Sequence, residues 1–256
     1  MLTQNQIKQI KSLQQKKFRL ELNQFVAEGP KIVEELINSN RFSFDCVYAK
    51  SKWLTIYSEK LKEKSISFVE VNDKELERIS GLTNPNQVIA VLAIPEVKWS
   101  EKIVGNEPIL VLDQINDPGN MGTIIRTADW FGINNIVCSE NSVDIYNPKV
   151  VQATMGSISR VNIFYTDILS FLTNNQKKAT IYGAFTNGEN IQNTKIVENS
   201  IIVIGNESNG ISEKMIPLIQ KKIAIPMNNN AKEMKPESLN ASIATAIFCY
   251  EFSKKR

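Results

Sequence analysis

Three polar, glycine-bearing stretches toward the end of the chain carry the side chains that could do chemistry. The first runs from Gln114 to Ala128 and contains N-x-G-T-I-I-R-T-A. Arg126 follows Asn120 by six residues. In a helix opening near Asn120 that spacing puts a guanidinium near the second turn, within reach of a phosphate held at the helix start. The competing reading is an ordinary turn whose arginine pairs with an acid. The second stretch, Val203 to Ser212, sets Glu207 among small residues between Gly205 and Gly210. Two glycines five apart resemble half a phosphate loop, but the Lys-Ser or Lys-Thr that completes one is missing. Glu207 is therefore either a capping or ion-pairing residue or a member of a polar site. The third stretch, Ile223 to Ile247, places Ser238 and Asn240 before a helix rich in small residues. Ser238 alone reads as the N-cap of that helix.

What the chain lacks narrows the chemistry further. It contains no His, which removes Ser-His-Asp and Cys-His nucleophiles, His-ligated zinc and imidazole as a general base. Cys46, Cys138 and Cys249 are scattered without a C-x-x-C pair, so no disulfide framework and no metal site is expected. The absence of G-x-G-x-x-G disfavours a Rossmann dinucleotide site. With 30 Lys and Arg against 27 Asp and Glu, the net charge of +3 is too small to name a partner. No apolar run approaches the roughly 18 residues of a membrane span, and the start has no apolar signal core. The expected setting is the cytoplasm, with no membrane partner.

The elements that must position these residues follow from periodicity. Ile7, Ile10, Leu13, Phe18 and Leu22 form a stripe within residues 3 to 24, which predicts one helix. Gly29-Pro30 opens a second helix. Strands are predicted at Phe44 to Ala49, Ile66 to Val71 and Val88 to Ile94, with a helix over Ser51 to Glu63 and a short one capped by Asn72 and Glu75. The stretch from Pro95 to Pro108, with two Pro, one Gly and alternating charge, reads as a linker at 96–107 between a domain at 1–95 and one at 108–256. In the second domain apolar strands alternate with helices, which predicts an α/β fold with a parallel sheet covered on both faces. Loops at the carboxyl ends of such strands collect ligands.

In their order along the chain, N-x-G-T-I-I-R-T-A, I-G-N-E-x-x-G and I-P-M…E-S-L-N-A-S-I-A-x-A-I resemble the three motifs of the SpoU-type RNA ribose methyltransferases. The resemblance spans about residues 108 to 252, and F-V-A-E-G-P-K-I-V-E-E-L with N-P-N-Q-V-I-A-V resembles that family's smaller, ribosomal-protein-like substrate-binding domain. It implies methyl transfer from S-adenosylmethionine to a ribose 2′-hydroxyl, a C-terminal trefoil knot that periodicity does not show, and a homodimer with each active site built between subunits. It places Arg126 and Asn120 at the substrate hydroxyl and its neighbouring phosphate, has Glu207, Ser238 and Asn240 orient that cluster, and assigns the donor to loops containing Ala184, Gly205, Ile225 and Leu239. A guanidinium does not deprotonate in a protein. Arg126 is therefore expected to bind phosphate and Asn120 to position the hydroxyl, with the proton leaving to a phosphate oxygen or water.

The chain departs from the family pattern at Asn228 to Glu237, longer than the usual link and expected to enlarge the rim of the donor pocket. Lys8, Lys11, Lys16, Lys17 and Arg19 cluster on and after the first helix. Lys16, Lys17 and Arg19 are the candidate RNA contacts, against the alternative of a plain solvated face. A separate N-terminal domain favours ribosomal over transfer RNA as substrate. The alternatives are a transfer-RNA ribose methyltransferase and a catalytically silent RNA-binding or ribosome-assembly factor of the same fold, against which intact Asn120, Arg126, Glu207, Ser238 and Asn240 argue.

Overall fold

A computed structural model describes residues 1–100, 103–227 and 237–254. The chain forms two compact units, Met1–Glu96 with Asp144–Arg160, and Val97–Val143 with Val161–Arg256.

In the first unit, helices α1 (Gln4–Ser12) and α2 (Lys16–Leu22) precede strand β1 (Gln24–Glu28). The single helix predicted for residues 3 to 24 is thus two, because the turn at Leu13 to Gln15 separates them. Helix α3 (Pro30–Ser39) starts at a proline after Gly29, whose φ of 97° suits a glycine. Strand β2 (Phe44–Ala49), helix α4 (Ser51–Glu63), strand β3 (Phe68–Glu70), helix α5 (Asp73–Ile79) and strand β4 (Val88–Ala93) complete the contiguous part. The sheet order is β1-β4-β2-β3, with β4 antiparallel to both neighbours and β3 parallel to β2.

The β-branched run in β4 is buried on both faces. Val88, Ala90 and Leu92 pack with Phe25, Leu36 and Trp53, while Ile89 and Val91 pack with Ile10, Leu13 and Leu76. Alternation over a doubly covered strand explains why the run has no polar positions. Helix α7 (Pro148–Thr154) and a 3₁₀ turn at Ser157–Ser159 join this unit, since Val151 and Ile158 enter its core and Tyr146 lies 4.8 Å from Phe25. The division at 96–107 drawn from composition does not capture this return.

In the second unit, Trp99 makes edge contacts with Phe164 and Phe171, at 4.8 and 5.2 Å. Its strands are β5 (Ile109–Leu112), β6 (Asn135–Ser139), β7 (Asn162–Thr166), β8 (Thr180–Asn190), β9 (Ser200–Ile204) and β10 (Lys221–Ala224). They form one sheet in the order β10-β8-β9-β5-β6-β7, parallel at every pairing. The α/β reading with a parallel sheet agrees with this. From β5 the chain works outward through β6 and β7, then returns to fill the other side, so order reverses between β5 and β9. The loops after those two strands flank the reversal, which is where open α/β sheets bind ligands.

Helix α6 (Pro118–Trp130) follows β5, and helix α8 (Ile168–Asn175) follows β7. Helix α9 (Ala241–Ser253) packs along α6, with Phe131 and Tyr250 rings 6.0 Å apart. After Ser212 the chain forms a 3₁₀ segment over Glu213–Leu218, which contains Pro217.

Candidate active site

The start of α6 is fixed by a cap that motif reading passed over. Asp117 accepts the backbone N–H of Asn120 at 2.7 Å, and Pro118 fills the first helical position. The helix therefore opens at Pro118 and not after Asn120, and Asp117-Pro118 was the sequence signal. Met121, Gly122, Ile124, Ile125 and Ala128 face inward, while Thr123, Arg126 and Trp130 are exposed.

Asn120 sits at the centre of a relay. Its Nδ2 donates to Glu207 Oε1, and its Oδ1 accepts Asn240 Nδ2 at 2.9 Å. Asn240 in turn caps α9, its Oδ1 accepting the N–H groups of Ser242 at 2.9 Å and Ile243 at 3.3 Å and the Ser242 hydroxyl at 2.6 Å. One carboxylate and two carboxamides from three separate stretches thus meet. The chain of donors fixes both amide orientations: Asn240 spends its oxygen on the helix N-terminus, so only its NH₂ faces Asn120. That leaves Asn120 with its NH₂ toward the carboxylate and its oxygen toward Asn240.

The other members of the predicted set are distributed differently. Ser238 is exposed, makes no hydrogen bond among the described residues, and is not the cap of α9, which begins two residues beyond Leu239. Asn240 takes the cap because its side chain reaches two free N–H groups. Arg126 is exposed and has no hydrogen bond or ion pair among the described residues. Six residues beyond Asn120 means about 9 Å along the helix and about 240° around it, so the guanidinium leaves on another face.

Ala184 directly follows Gly183, the last β8 residue paired with β9; Gly205 follows β9 and Ile225 follows β10. Strand adjacency therefore gathers these three at one sheet edge. Between Lys222 and Ile223 the β10 partner jumps from Gly183 to Glu189, so residues 184–188 bow out of the ladder there. Leu239 is exposed just ahead of α9. Of the Asn228 to Glu237 segment, 228–236 lie outside the described residues, and so does any rim they form.

Burial raises the Cys138 thiol far above its ordinary range and pushes Cys249 up to about 12, so neither is a thiolate near neutral pH. Among the described residues no group of three or more His, Cys, Asp or Glu could hold a metal ion, and no helix is long and apolar enough to cross a membrane.

One RNA contact expected from the sequence is overturned. Arg19 is only 2% exposed: its Nε and Nη2 donate to Asp144 Oδ2 at 2.9 and 2.6 Å, and its Nη1 donates to the Leu13 carbonyl at 2.8 Å. A guanidinium so enclosed, with three of its five N–H donors engaged inside the unit, is not presented to a phosphate. Lys16 and Lys17 are exposed.

The family model of the SpoU rRNA methylases matches residues 107–250, more than half of the chain. The chain belongs to this family. A model of an MRM3-like substrate binding domain matches residues 4–90. The chain is 28% identical over 246 residues to the Bacillus subtilis 23S rRNA (guanosine(2553)-2'-O)-methyltransferase RlmP, covering 95% of this chain and 94% of that one. A solved TrmH-family structure from Porphyromonas gingivalis is similar with a TM-score of 0.87 and 34% identity over 100% of both chains. The AdoMet-bound rRNA methyltransferase from Sinorhizobium meliloti matches with a TM-score of 0.85 and 26% identity, over 100% of this chain and 96% of that one. The SpoU chain is accordingly an RNA methyltransferase, the class its three motifs implied.

Proposed function

We propose that this SpoU protein transfers a methyl group from S-adenosylmethionine to a ribose 2′-hydroxyl of structured ribosomal RNA in the cytoplasm. The observation that carries the reading is the Glu207–Asn120–Asn240 relay, set at the carboxyl edge of a parallel sheet beside the switch in strand order. When bound, the donor supplies a sulfonium methyl open to in-line displacement.

The sheet edge suits that donor. Ala184 and Gly205 are small, and a Cβ on Gly188 would lie 2.6 Å from the Ile223 carbonyl carbon, so the bowed residues 184–188 pass close against β10. Ile225 and Leu239 add apolar surface, and no hydrogen bond to another described residue engages their backbones. Such a slot suits a flat, partly apolar ligand recognised through main-chain groups.

Asn120, its amide orientation held from both sides, positions the attacking hydroxyl, and Glu207 and Asn240 are its orienters. Arg126 binds the adjacent phosphate through its fork of donors. The hydroxyl proton passes to a phosphate oxygen or water. Ser238 joins this cluster only when RNA or a second chain is bound.

The protein acts as a homodimer. Trp130 is 83% exposed on α6, and Ile243 and Tyr250 are 53% and 50% exposed on the adjoining α9, an apolar face that a second copy would bury. Arg126 stands on this same side of α6, so a partner's site is where it reaches RNA. A sedimentation mass of one chain would remove this part of the reading. Lys16 and Lys17 add phosphate contacts.

The test is to delete the gene in its host, isolate ribosomal and transfer RNA from the wild-type and deletion strains, and map ribose methylations before and after treatment with the purified protein and S-adenosylmethionine. One site should vanish on deletion and return on treatment. A ribosomal RNA map unchanged by deletion, or a change confined to transfer RNA, would overturn the ribosomal assignment.

A further inference from the structure

The loop that bears Glu207 is clasped by residues to which the reaction gives no role. Its base is closed by the pair Asn206 and Gly210, N–H to carbonyl in both directions at 3.0 and 2.8 Å. A Cβ at Gly205 would lie 2.1 Å from the Gly210 carbonyl carbon, so the two arms meet with no room for a side chain. Only residues 207–209 project as the tip.

Both arms are tied to the corner that follows β5. Asp113 Oδ2 accepts the N–H of Ser212 at 2.7 Å, while the Asp113 N–H continues the ladder to the Ile204 carbonyl at 2.9 Å. The Gln114 carbonyl accepts Asn206 Nδ2 at 2.8 Å, and Gln114 Nε2 donates to Ser212 Oγ at 3.3 Å. The Gln114 N–H goes to Ser139 Oγ at 2.8 Å. Asn206 Oδ1 then turns back to accept the N–H of Ser208 at 2.8 Å, inside the tip.

This corner is costly. Gln114 has a φ of 57°, in the left-handed region that a glycine would occupy without strain. Asp113 is 1% exposed, and its Oδ1 has no hydrogen-bond partner among the described residues. A buried carboxylate oxygen without a donor is expensive. A loop needing only closure could be built without either feature.

We infer that Asp113 and Asn206 are positioning residues, which aim the Glu207 tip at Asn120 and influence methyl transfer only through that contact. The inference rests on the assignment of Asn120 to the ribose hydroxyl. Neither side chain bonds to the side chains of the relay: Asp113 holds the far arm of the loop and Asn206, next to Glu207 in the chain, the near arm, so their joint effect is the direction of the tip. Misplacement of a reacting geometry by about 1 Å can cost a hundredfold in rate.

A double-mutant cycle tests this, using Asp113→Asn, Asn206→Ala, Glu207→Gln and the two doubles that contain Glu207→Gln. Each single variant should lower the single-turnover rate constant by about ten- to a hundredfold, with KM for RNA within about twofold of wild type. In the Glu207→Gln background the second change should cost no more than about twofold. Multiplying effects, or full-rate single variants, would overturn the inference. Asn206→Ala carries the cycle if Asp113→Asn fails to fold by thermal melting.

The side-chain amide resonance of Asn120 gives a readout independent of turnover. It should shift with Glu207→Gln, and in the same direction with Asp113→Asn and Asn206→Ala. An amide that ignores both clasp variants sinks the inference even where methylation is intact. An amide that shifts as expected in a protein that methylates no RNA sinks the functional assignment and leaves the clasp standing.

Discussion

Arg19 and Arg126 are the same side chain, each on a helix near a polar motif, and each reads from sequence as a phosphate ligand. In the fold they are opposites. Arg19 is enclosed, spending three N–H donors on Asp144 and the Leu13 carbonyl. Arg126 stands in solvent on the outer face of α6 with no partner among the described residues. An exposed guanidinium without an acid can serve a ligand at little cost in stability; an enclosed one serves the core. Burial and partner, not residue type or local charge density, separate the two roles.

The sharpest break of this contrast is at Arg126. Arg126→Ala should lower kcat/KM for RNA by about 10²–10³-fold, with the melting temperature unchanged because no contact among the described residues is lost. Arg126→Lys keeps the charge but loses the planar fork, and should recover no more than part of the rate. Steady-state kinetics on a methyl-accepting RNA would decide. Activity near wild type in the lysine variant would show that the fork is unnecessary.

Arg19 should fail in the other currency. Arg19→Met leaves Asp144 as a largely buried charge without its partner, and breaking such a pair typically costs about 3–5 kcal/mol. Denaturant unfolding should show that loss, while RNA affinity of the folded protein keeps its dependence on salt. Replacing Lys16 and Lys17 with Gln should do the reverse: unchanged stability, and a slope of log affinity against log salt shallower by about 0.7–0.9 for each lost contact. If Arg19→Met lowered that slope as much as a lysine variant does, the guanidinium would have to be reaching RNA after all.

Much of the fold was readable because it follows from one-dimensional patterns. The runs at Ile109 to Leu112 and Ile201 to Ile204 are buried on both faces, and their uniform apolar character announces a parallel sheet. The Asn72 and Glu75 capping box stands as its spacing indicated. Asn120, Glu207 and Asn240, named by their motifs, lie within hydrogen-bond reach of one another because their loops meet at one edge of the parallel sheet. Three things were hidden. Arg19 looked like part of a basic face because its partner Asp144 lies 125 residues away. Ser238 looked like the cap because Asn240, two residues on, competes for the same N–H groups. The clasp at Asp113, Gln114 and Asn206 depends on a backbone turn at φ 57° that no residue type there advertises.

The smallest expected effect lies at a half-buried carboxylate, Glu75, held chiefly by hydrogen bonds. Glu75 accepts the N–H of Leu2 at 2.8 Å and of Asn72 at 3.1 Å. The Leu2 bond, followed by the Asn72 bond, holds its carboxyl below the ordinary carboxylate range. A folded-state pKa lower than the unfolded one, about 4.3 for Glu, means stabilisation that is present above that value and lost as pH falls through the folded one. Wild type should therefore melt above Glu75→Gln at neutral pH, and the gap should close as pH is lowered below about 4. Melting followed by circular dichroism between neutral and acid pH measures it. A gap that stays constant into acid would show that the α5 cap is held by shape and not by charge, and would place Glu75 with the packing residues instead of the ionic ones.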